Sequence, residues 1–233
     1  MTSRLNEREQ AVGMALVDWQ VPLYPGLERL SGRFCDLQPL SDQRHGTSLY
    51  QHILADVEGR NWTYQPYGPF NEESGYRSWL RSVEAGRDPL FFAVLSKATG
   101  QALGVASLMR INPEAGSFEI GNVHFTNAMQ RTPLATEAIY LLAQCGFALG
   151  YRRCEWKCDS LNQPSRAAAE RLGFTYEGTF RQAMVYKGRN RDTAWYSIVD
   201  TEWPLVKARL ERWLSADNFD QNGQQLRALG QLR

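Results

Sequence analysis

The chain has 233 residues, of which 43% are hydrophobic and 22% charged, and its formal net charge is +1. This composition predicts a folded core and gives no global electrostatic case for binding nucleic acid. No apolar run approaches the roughly 20 residues that span a bilayer, and the start of the chain lacks a secretory signal. We therefore expect a cytoplasmic protein that binds neither nucleic acid nor membranes.

The N-terminal half predicts an extension followed by helices and an antiparallel meander. Residues 1–33 are expected to be an N-terminal extension, because prolines and a glycine interrupt any regular element. Alternating apolar residues and short glycine-containing connections predict the strands. The predicted elements are, in order, a strand at 34–40, a helix from Ser41 to about Asp56, an aromatic loop at 61–69, a helix from Asn71 to about Gly86, and strands at 90–96, 102–110 and 117–126.

The C-terminal half predicts alternating helices and strands. The elements are helix 133–149, strand 152–159, helix 164–172, strand 174–178, strand 193–201 and helix 205–214, before a polar end that is expected to be frayed. Antiparallel strands followed by βαβ units predict an α/β (α+β) fold, with a mixed, mostly antiparallel central sheet flanked by helices. The expected domain lies at 34–203, with a C-terminal helix and tail at 204–233.

The cysteines and histidines do not predict a metal site. Cys154 and Cys158 lie on one predicted strand, where the intervening residues span roughly 13 Å, too far for a disulfide or a shared tetrahedral metal. The three histidines, which include His124, are scattered along the chain and are interpreted as structural or surface residues.

Two strand-loop-helix segments carry the candidate chemistry. In the first, Thr132 and Pro133 predict a helix start, whose unpaired amides and dipole suit a pyrophosphate. In the second, the segment Asp159–Arg166 starts another helix, which Gly173 closes before the next strand.

These segments resemble the RimJ/RimL-like branch of the GNAT N-acetyltransferase superfamily over roughly residues 34–203. The resemblance rests on Asn162-x-x-Ser165, Glu170-Arg171-Leu172-Gly173-Phe174, Glu177-Gly178, Glu119-Ile120-Gly121 and the stretch Gln130–Ala135 with Thr136-Glu137-Ala138. It implies the GNAT fold and acetyl-CoA as co-substrate, without a metal.

The resemblance also implies roles for individual residues. Glu119 is the candidate general base, Asn162 a pantetheine ligand and Ser165 a candidate proton donor near the CoA sulfur; helix N-capping is the competing explanation of Asn162 and Ser165. Glu119 also has a structural interpretation as a salt-bridged strand residue. The expected cofactor-binding residues are Val123, Phe125, Thr126, Gln130, Arg131, Thr132, Leu134, Ala135, Thr136, Asn162 and Ser165.

Two positions depart from the family pattern. Pro133 replaces the usual glycine of the acetyl-CoA loop and removes one amide, while Ala169 replaces the tyrosine that other GNAT enzymes use as general acid. Among the aromatic residues, Trp156 and Trp195 are interpreted as core, whereas the loop residues Trp62, Tyr64 and Tyr67 are assigned to neither core nor acceptor site. The run 187–192 is interpreted as a solvated hairpin tip.

We therefore expect transfer of an acetyl group from acetyl-CoA to a primary amine by direct attack in a ternary complex. The acceptor is either a protein N-terminus or a small-molecule amine, and no residue separates these. The alternative, favoured by Pro133 and Ala169, is a catalytically degenerate CoA-binding sensor or scaffold. A homodimer is compatible with the two extensions but is not required.

Overall fold

A computed structural model describes residues 4–232. It contains an eight-stranded sheet in the order β3-β4-β5-β6-β7-β8-β10-β9 and a separate hairpin of β1 and β2. The strands are β1 Arg4–Leu5, β2 Ala11–Val12, β3 Leu30–Ser31, β4 Cys35–Pro39, β5 Leu90–Ser96, β6 Ala102–Asn112, β7 Ser117–Phe125, β8 Arg153–Asp159, β9 Thr175–Tyr186 and β10 Arg189–Val199. The helices are α1 Asp42–Ile53, α2 Glu73–Val83, α3 Pro133–Ala148, α4 Gln163–Leu172 and α5 Trp203–Leu214.

The predicted mixed, mostly antiparallel sheet is confirmed. Strands β4 to β7 form an antiparallel meander, and β7 and β8 are the one parallel pair among the described strands. Gly100 and Gly116 supply positive φ angles in the turns of the meander, which is the conformation that glycine adopts most readily. The meander and the βαβ crossover agree with the predicted topology. The predicted strands at 174–178 and 193–201 differ from it, because they belong to a longer hairpin of β9 and β10 in which β10 lies between β8 and β9.

The parallel pair diverges after three residues. Ladder pairing joins Ser117–Glu119 of β7 to Arg153–Glu155 of β8, and no pairing continues beyond Glu119. The strands then separate, which opens a gap in the middle of the sheet.

The two faces of the sheet carry separate hydrophobic clusters. One cluster joins α3, α4 and α5 to residues such as Phe92 and Trp156, and the other joins α1 and α2 to residues such as Phe91 and Trp62. Phe91 and Phe92 belong to different clusters because consecutive strand residues point to opposite faces. Helices therefore cover both faces of the central strands, whereas β9 at the edge of the sheet is largely exposed.

The two extensions differ from expectation. Regular structure begins before Phe34, since the N-terminal segment holds the β1–β2 hairpin and β3. The tail is not frayed: the Asn218 amide donates to the carbonyls of Trp213 and Arg227, and Leu229 is 2% exposed in the core. Burial of this leucine holds the tail against α4 and α5.

None of the helices in residues 4–232 is both long and apolar enough to cross a bilayer. The expected cytoplasmic location and the homodimer stay predictions.

Candidate active site

A cavity of about 1290 Å³ fills the gap between β7 and β8 and continues along the starts of α3 and α4. Its walls include six basic residues but only two acidic ones, Glu119 and Asp159. The basic residues are Arg60, Arg110, Arg131, Lys157, Arg171 and Arg191. We call the part on the α3 and α4 side the cofactor half, and the part on the α1 and α2 side the acceptor half.

A β-bulge shapes the strand that crosses this cavity. Ser107 pairs with Gly121 but Val105 pairs with His124, so β7 carries one residue more than β6 in this interval. Asn122 takes a positive φ of 50° at the bulge, and its amide donates to the Ser107 hydroxyl at 3.0 Å. The extra residue turns His124 to the α1 and α2 side, where its ring stacks on Trp62 with centroids 3.8 Å apart.

Glu119 lies in the acceptor half at the point where β7 and β8 separate. Its side chain is buried, and Oε2 contacts both Arg110 Nη1 at 2.7 Å and Lys157 Nζ at 3.0 Å. No described residue donates a hydrogen bond to Oε1, which lies beside the space above Gly121. A Cβ at Gly121 would clash with the Met109 side chain and come within 3.3 Å of Oε1, so the glycine leaves room beside both groups.

The ion pairs of Glu119 continue across the sheet as an alternating row of charges. Lys157 also contacts Glu155 at 2.6 Å, and Arg153 joins Glu155 to Glu177. Hydrogen bonds from Arg153 lower the pKa of Glu177, while Arg153 and Lys157 lower that of Glu155 against the opposing effect of burial. The row therefore keeps buried charges paired while leaving one Glu119 oxygen open.

The cofactor half begins where α3 starts. Thr132 occupies the N-cap position and Pro133 the first helical position, as the sequence predicts. The Thr132 hydroxyl bonds to the Met129 carbonyl rather than to the helix amides. The Ala135 amide bonds to the Thr132 carbonyl, and Arg131 precedes the helix with a positive φ of 61° and no acidic partner among the described residues.

Arg171 supplies a second cation to this half. Its Nη2 donates to Thr136 Oγ1 at 2.8 Å, which places the guanidinium of α4 against the first turn of α3. Burial and the neighbouring Arg209 lower the pKa of Arg171, and no described carboxylate neutralises it. Two cations without acidic partners at a helix start suit a phosphate-bearing ligand.

The start of α4 positions Ser165. Asn162 caps the helix by accepting from the Ser165 amide at 3.2 Å, and Gly173 ends it with a φ of 105°. Ser165 Oγ accepts from the Trp156 indole at 3.0 Å. Cys158 lies beside this hydroxyl as a thiol whose pKa is raised by burial, against the opposing effect of a hydrogen bond with Ser165.

Nine of the expected site residues line the cavity besides Glu119: Val123, Phe125, Gln130, Arg131, Thr132, Ala135, Thr136, Asn162 and Ser165. Thr126 and Leu134 are not part of the cavity wall, and their role in binding the cofactor stays a prediction. Both the amide and the hydroxyl of Thr126 bond to the Leu103 carbonyl, and Leu134 turns into the core. Gln130 acts through its side chain, which donates to the Phe125 carbonyl at 2.8 Å and fixes the loop.

Several lining residues were missed or interpreted differently. Trp195 belongs to the cavity wall rather than to the core, although Trp156 is core as predicted. His124 is a buried cavity residue whose Nε2 has no partner among the described residues, and burial lowers its pKa to about 4. The β-bulge that brings His124 here leaves no periodic signal in the sequence.

Two loops close over the acceptor half. The Tyr64 hydroxyl donates to the Leu161 carbonyl at 3.1 Å, and Lys187 Nζ donates to the Trp62 carbonyl at 2.7 Å. The hairpin tip at Lys187 is therefore bonded to the aromatic loop and is not merely solvated. Of the three loop aromatics, Trp62 is core and Tyr64 lines the cavity.

The tail lines the cofactor half, a contribution that the sequence does not signal. Trp213, Gln225, Ala228, Leu229 and Gly230 all line the cavity. The indole of Trp213 donates to Gln225 Oε1 at 2.9 Å, which fixes the tail against α5.

Comparison with known proteins identifies the class. The family model described as acetyltransferase (GNAT) domain matches residues 36–175. The chain therefore belongs to the GNAT acetyltransferase family, and it is an acetyl-CoA-dependent acyltransferase. The RimJ/RimL-like branch stays a prediction.

Individual relatives share most of the chain. A GCN5-related N-acetyltransferase structure from Brucella melitensis is 43% identical, covers 93% of this chain and 99% of that chain, and has a TM-score of 0.90. A probable GNAT-family acetyltransferase structure from Chromobacterium violaceum is 43% identical over 83% of this chain and 96% of that one, with a TM-score of 0.77. The uncharacterized N-acetyltransferase p20 of Bacillus licheniformis is 28% identical over 64% of this chain and 89% of its own length.

Proposed function

We propose that this acetyltransferase acetylates a primary amine by direct attack in a ternary complex, with acetyl-CoA in the cofactor half and the amine in the acceptor half. The observation that carries the proposal is the single cavity that joins Arg131 and Arg171 on one side of the sheet to Glu119 on the other. A ligand in each half would meet where β7 and β8 separate. Bound acetyl-CoA supplies the acetyl thioester.

The protein's own residues supply the proton transfers. Glu119 Oε1 accepts the proton of the attacking amine, directly or through a water, while Arg110 and Lys157 hold Oε2 in place. Ser165 Oγ, held by the Trp156 indole, donates a proton to the departing sulfur. This assignment gives a proton donor to a chain in which the position of the family tyrosine is Ala169.

Calorimetric titration with acetyl-CoA tests the cofactor half. We expect wild-type binding in the micromolar range and at least tenfold weaker binding by Arg131→Glu, which reverses an unpaired positive charge at the start of α3. Arg189→Glu is the matched control, because Arg189 is exposed and does not line the cavity.

The outcomes separate three readings of the site. No binding by the wild type would contradict the proposal, and equal weakening in both variants would indicate a nonspecific charge effect. Binding without turnover on any amine would favour the catalytically degenerate alternative.

A further inference from the structure

Three residues on one face of β10 present unpartnered polar atoms. Arg191 Nε, Thr193 Oγ1 and Trp195 Nε1 are buried and have no hydrogen-bond partner among the described residues. All three line the cavity, and Thr193 is only 4% exposed. Since buried polar atoms are normally hydrogen-bonded, three in one row indicate a ligand-binding surface.

The row belongs to the acceptor half. Thr193 pairs with Asp159, and Trp195 pairs with Lys157, so these side chains share the sheet face of Lys157. Trp156 points to the opposite face, where it joins the α3 and α4 cluster. Lys157 contacts Glu119, so the Trp195 end of the row lies next to the proposed base.

The chemistry of the row favours an anionic group. Arginine Nε and indole Nε1 can only donate hydrogen bonds. Arg191 has no acidic partner among the described residues, whereas Arg110 and Lys157 are both paired with Glu119. The positive charge of Arg191 is therefore available to a ligand, and a carboxylate meets both the charge and the donors.

Apolar side chains complete the same wall. Trp195 is held between the Lys157 ammonium, 3.8 Å from its ring centroid, and the Phe180 ring at 4.6 Å. Phe180, Met109 and Met184 also line the cavity. These residues fit an apolar body on the molecule that carries the carboxylate.

We propose that the acceptor is a primary amine that carries a carboxylate and an apolar side chain. Arg191 and Trp195 bind the carboxylate, and Glu119 receives the amine proton. This inference rests on the proposed function, and it narrows the acceptor from any amine to an amino-acid-like one.

Acceptors with and without a carboxylate test whether the enzyme recognises this group. We expect kcat/KM at least tenfold higher for L-phenylalanine than for L-phenylalaninamide or phenethylamine, because only the first offers a carboxylate. A peptide pair that begins with aspartate or asparagine and ends in an amide distinguishes an acidic side chain from a free amino acid. A preference for L-phenylalanine over its amide supports the inference, whereas a preference found only in the peptide pair would assign the row to an acidic side chain at a peptide N-terminus and contradict it.

Three variants test which residues produce the preference for a carboxylate. Arg191→Leu should remove the carboxylate preference while leaving the Kd for acetyl-CoA within twofold of wild type. Trp195→Phe removes the indole donor, keeps an aromatic ring and should reduce the preference several-fold. Arg189→Leu is the control on the same strand, outside the cavity, and should keep the preference.

Three results would overturn the inference: no preference for L-phenylalanine over its amide, a preference that survives Arg191→Leu, or acetyl-CoA binding without turnover of any carboxylated amine. Failure of the wild type to bind acetyl-CoA would contradict the proposed function instead, so the two failures are distinguishable.

Discussion

The cofactor half and the acceptor half of the cavity are built in different ways. The cofactor half comes largely from two strand-loop-helix segments, in which neighbours along the chain such as Arg131 and Thr136, or Asn162 and Ser165, line the wall. The acceptor half takes single residues from distant elements, such as Tyr64 and Glu119. A local sequence motif can therefore specify the first half but not the second.

The two halves also treat charge differently. Arg131 and Arg171 have no acidic partner among the described residues, which suits a ligand that brings its own negative charges. In the acceptor half Arg191 likewise has no acidic partner among the described residues, but Glu119 and Lys157 are buried within a row of alternating charges. The charges in this row are paired because an unpaired buried charge is costly. The ion pairs also hold Glu119 in position and leave its Oε1 open.

Of the substitutions proposed, Glu119→Gln should show the largest difference between its effect on catalysis and its effect on acetyl-CoA binding. We expect kcat to fall by about 10² to 10³, since general-base catalysis contributes on this scale. The Kd for acetyl-CoA should stay within twofold, because Glu119 lies outside the cofactor half. Steady-state kinetics with calorimetry measure both.

Glu155→Gln is the matched control, because it removes a carboxylate that also binds Lys157 but does not line the cavity. Glu155→Gln should lower the free energy of unfolding and reduce kcat much less than Glu119→Gln does. Equal loss of kcat in both variants would mean that Glu119 only supports the structure.

Acid should destabilise the acceptor half through His124. Burial lowers its folded-state pKa to about 4, below the ordinary value of 6.5, so the unfolded state binds the proton more readily. Stability is therefore full above pH 6.5 and is lost as the pH falls toward 4, by roughly 3 kcal/mol at most for this group.

His124→Phe keeps an aromatic ring against Trp62 and removes the titration. Denaturant unfolding at pH 7 and pH 4.5 should show a smaller acid loss in this variant than in the wild type. His52→Gln serves as a control outside the cavity. An unchanged acid loss in His124→Phe would assign the sensitivity to other groups.

Leu229→Ala should affect binding in the cofactor half and leave binding in the acceptor half unchanged. Leu229 is 2% exposed, and loss of a buried leucine side chain costs about 2 kcal/mol or more of unfolding free energy. The loosened tail should weaken acetyl-CoA binding several-fold and leave the acceptor KM unchanged. Leu226→Ala, at a position 63% exposed, should change neither quantity. Wild-type affinity in Leu229→Ala would show that the tail wall does not bear on the ligand.

Asn162→Ala should give the smallest effect. Loss of the N-cap bond to the Ser165 amide costs about 1 kcal/mol of stability. If Asn162 is only a cap, Asn162→Asp should restore both stability and acetyl-CoA affinity. Restored stability without restored affinity would indicate a direct contact of the Asn162 amide with the ligand.

Much of the fold and part of the site could be predicted from the sequence. The meander, the start of α3 at Thr132 and Pro133, and the end of α4 at Gly173 are encoded in adjacent residues. The predicted role of Thr126 stays a prediction, because its hydroxyl and amide both bond to the Leu103 carbonyl and neither points to a ligand.

Other site residues could not have been found from local patterns. Arg191, Thr193 and Trp195 alternate as ordinary strand residues, and only their burial without partners distinguishes them. The tail is predicted to be frayed because its anchoring residues, which include Phe219 and Leu229, are not part of a periodic pattern.

The sequence by itself indicated the class of protein, because short-range motifs at two helix starts resemble those of the GNAT N-acetyltransferases. The tertiary structure decided the acceptor side, because the separation of β7 from β8, the bulge at Asn122 and the return of the tail depend on contacts between distant segments. Local hydrogen bonds can be inferred from neighbouring residues. Which residues are buried, and which charges must pair because they are buried, is decided only when distant segments of the chain pack together.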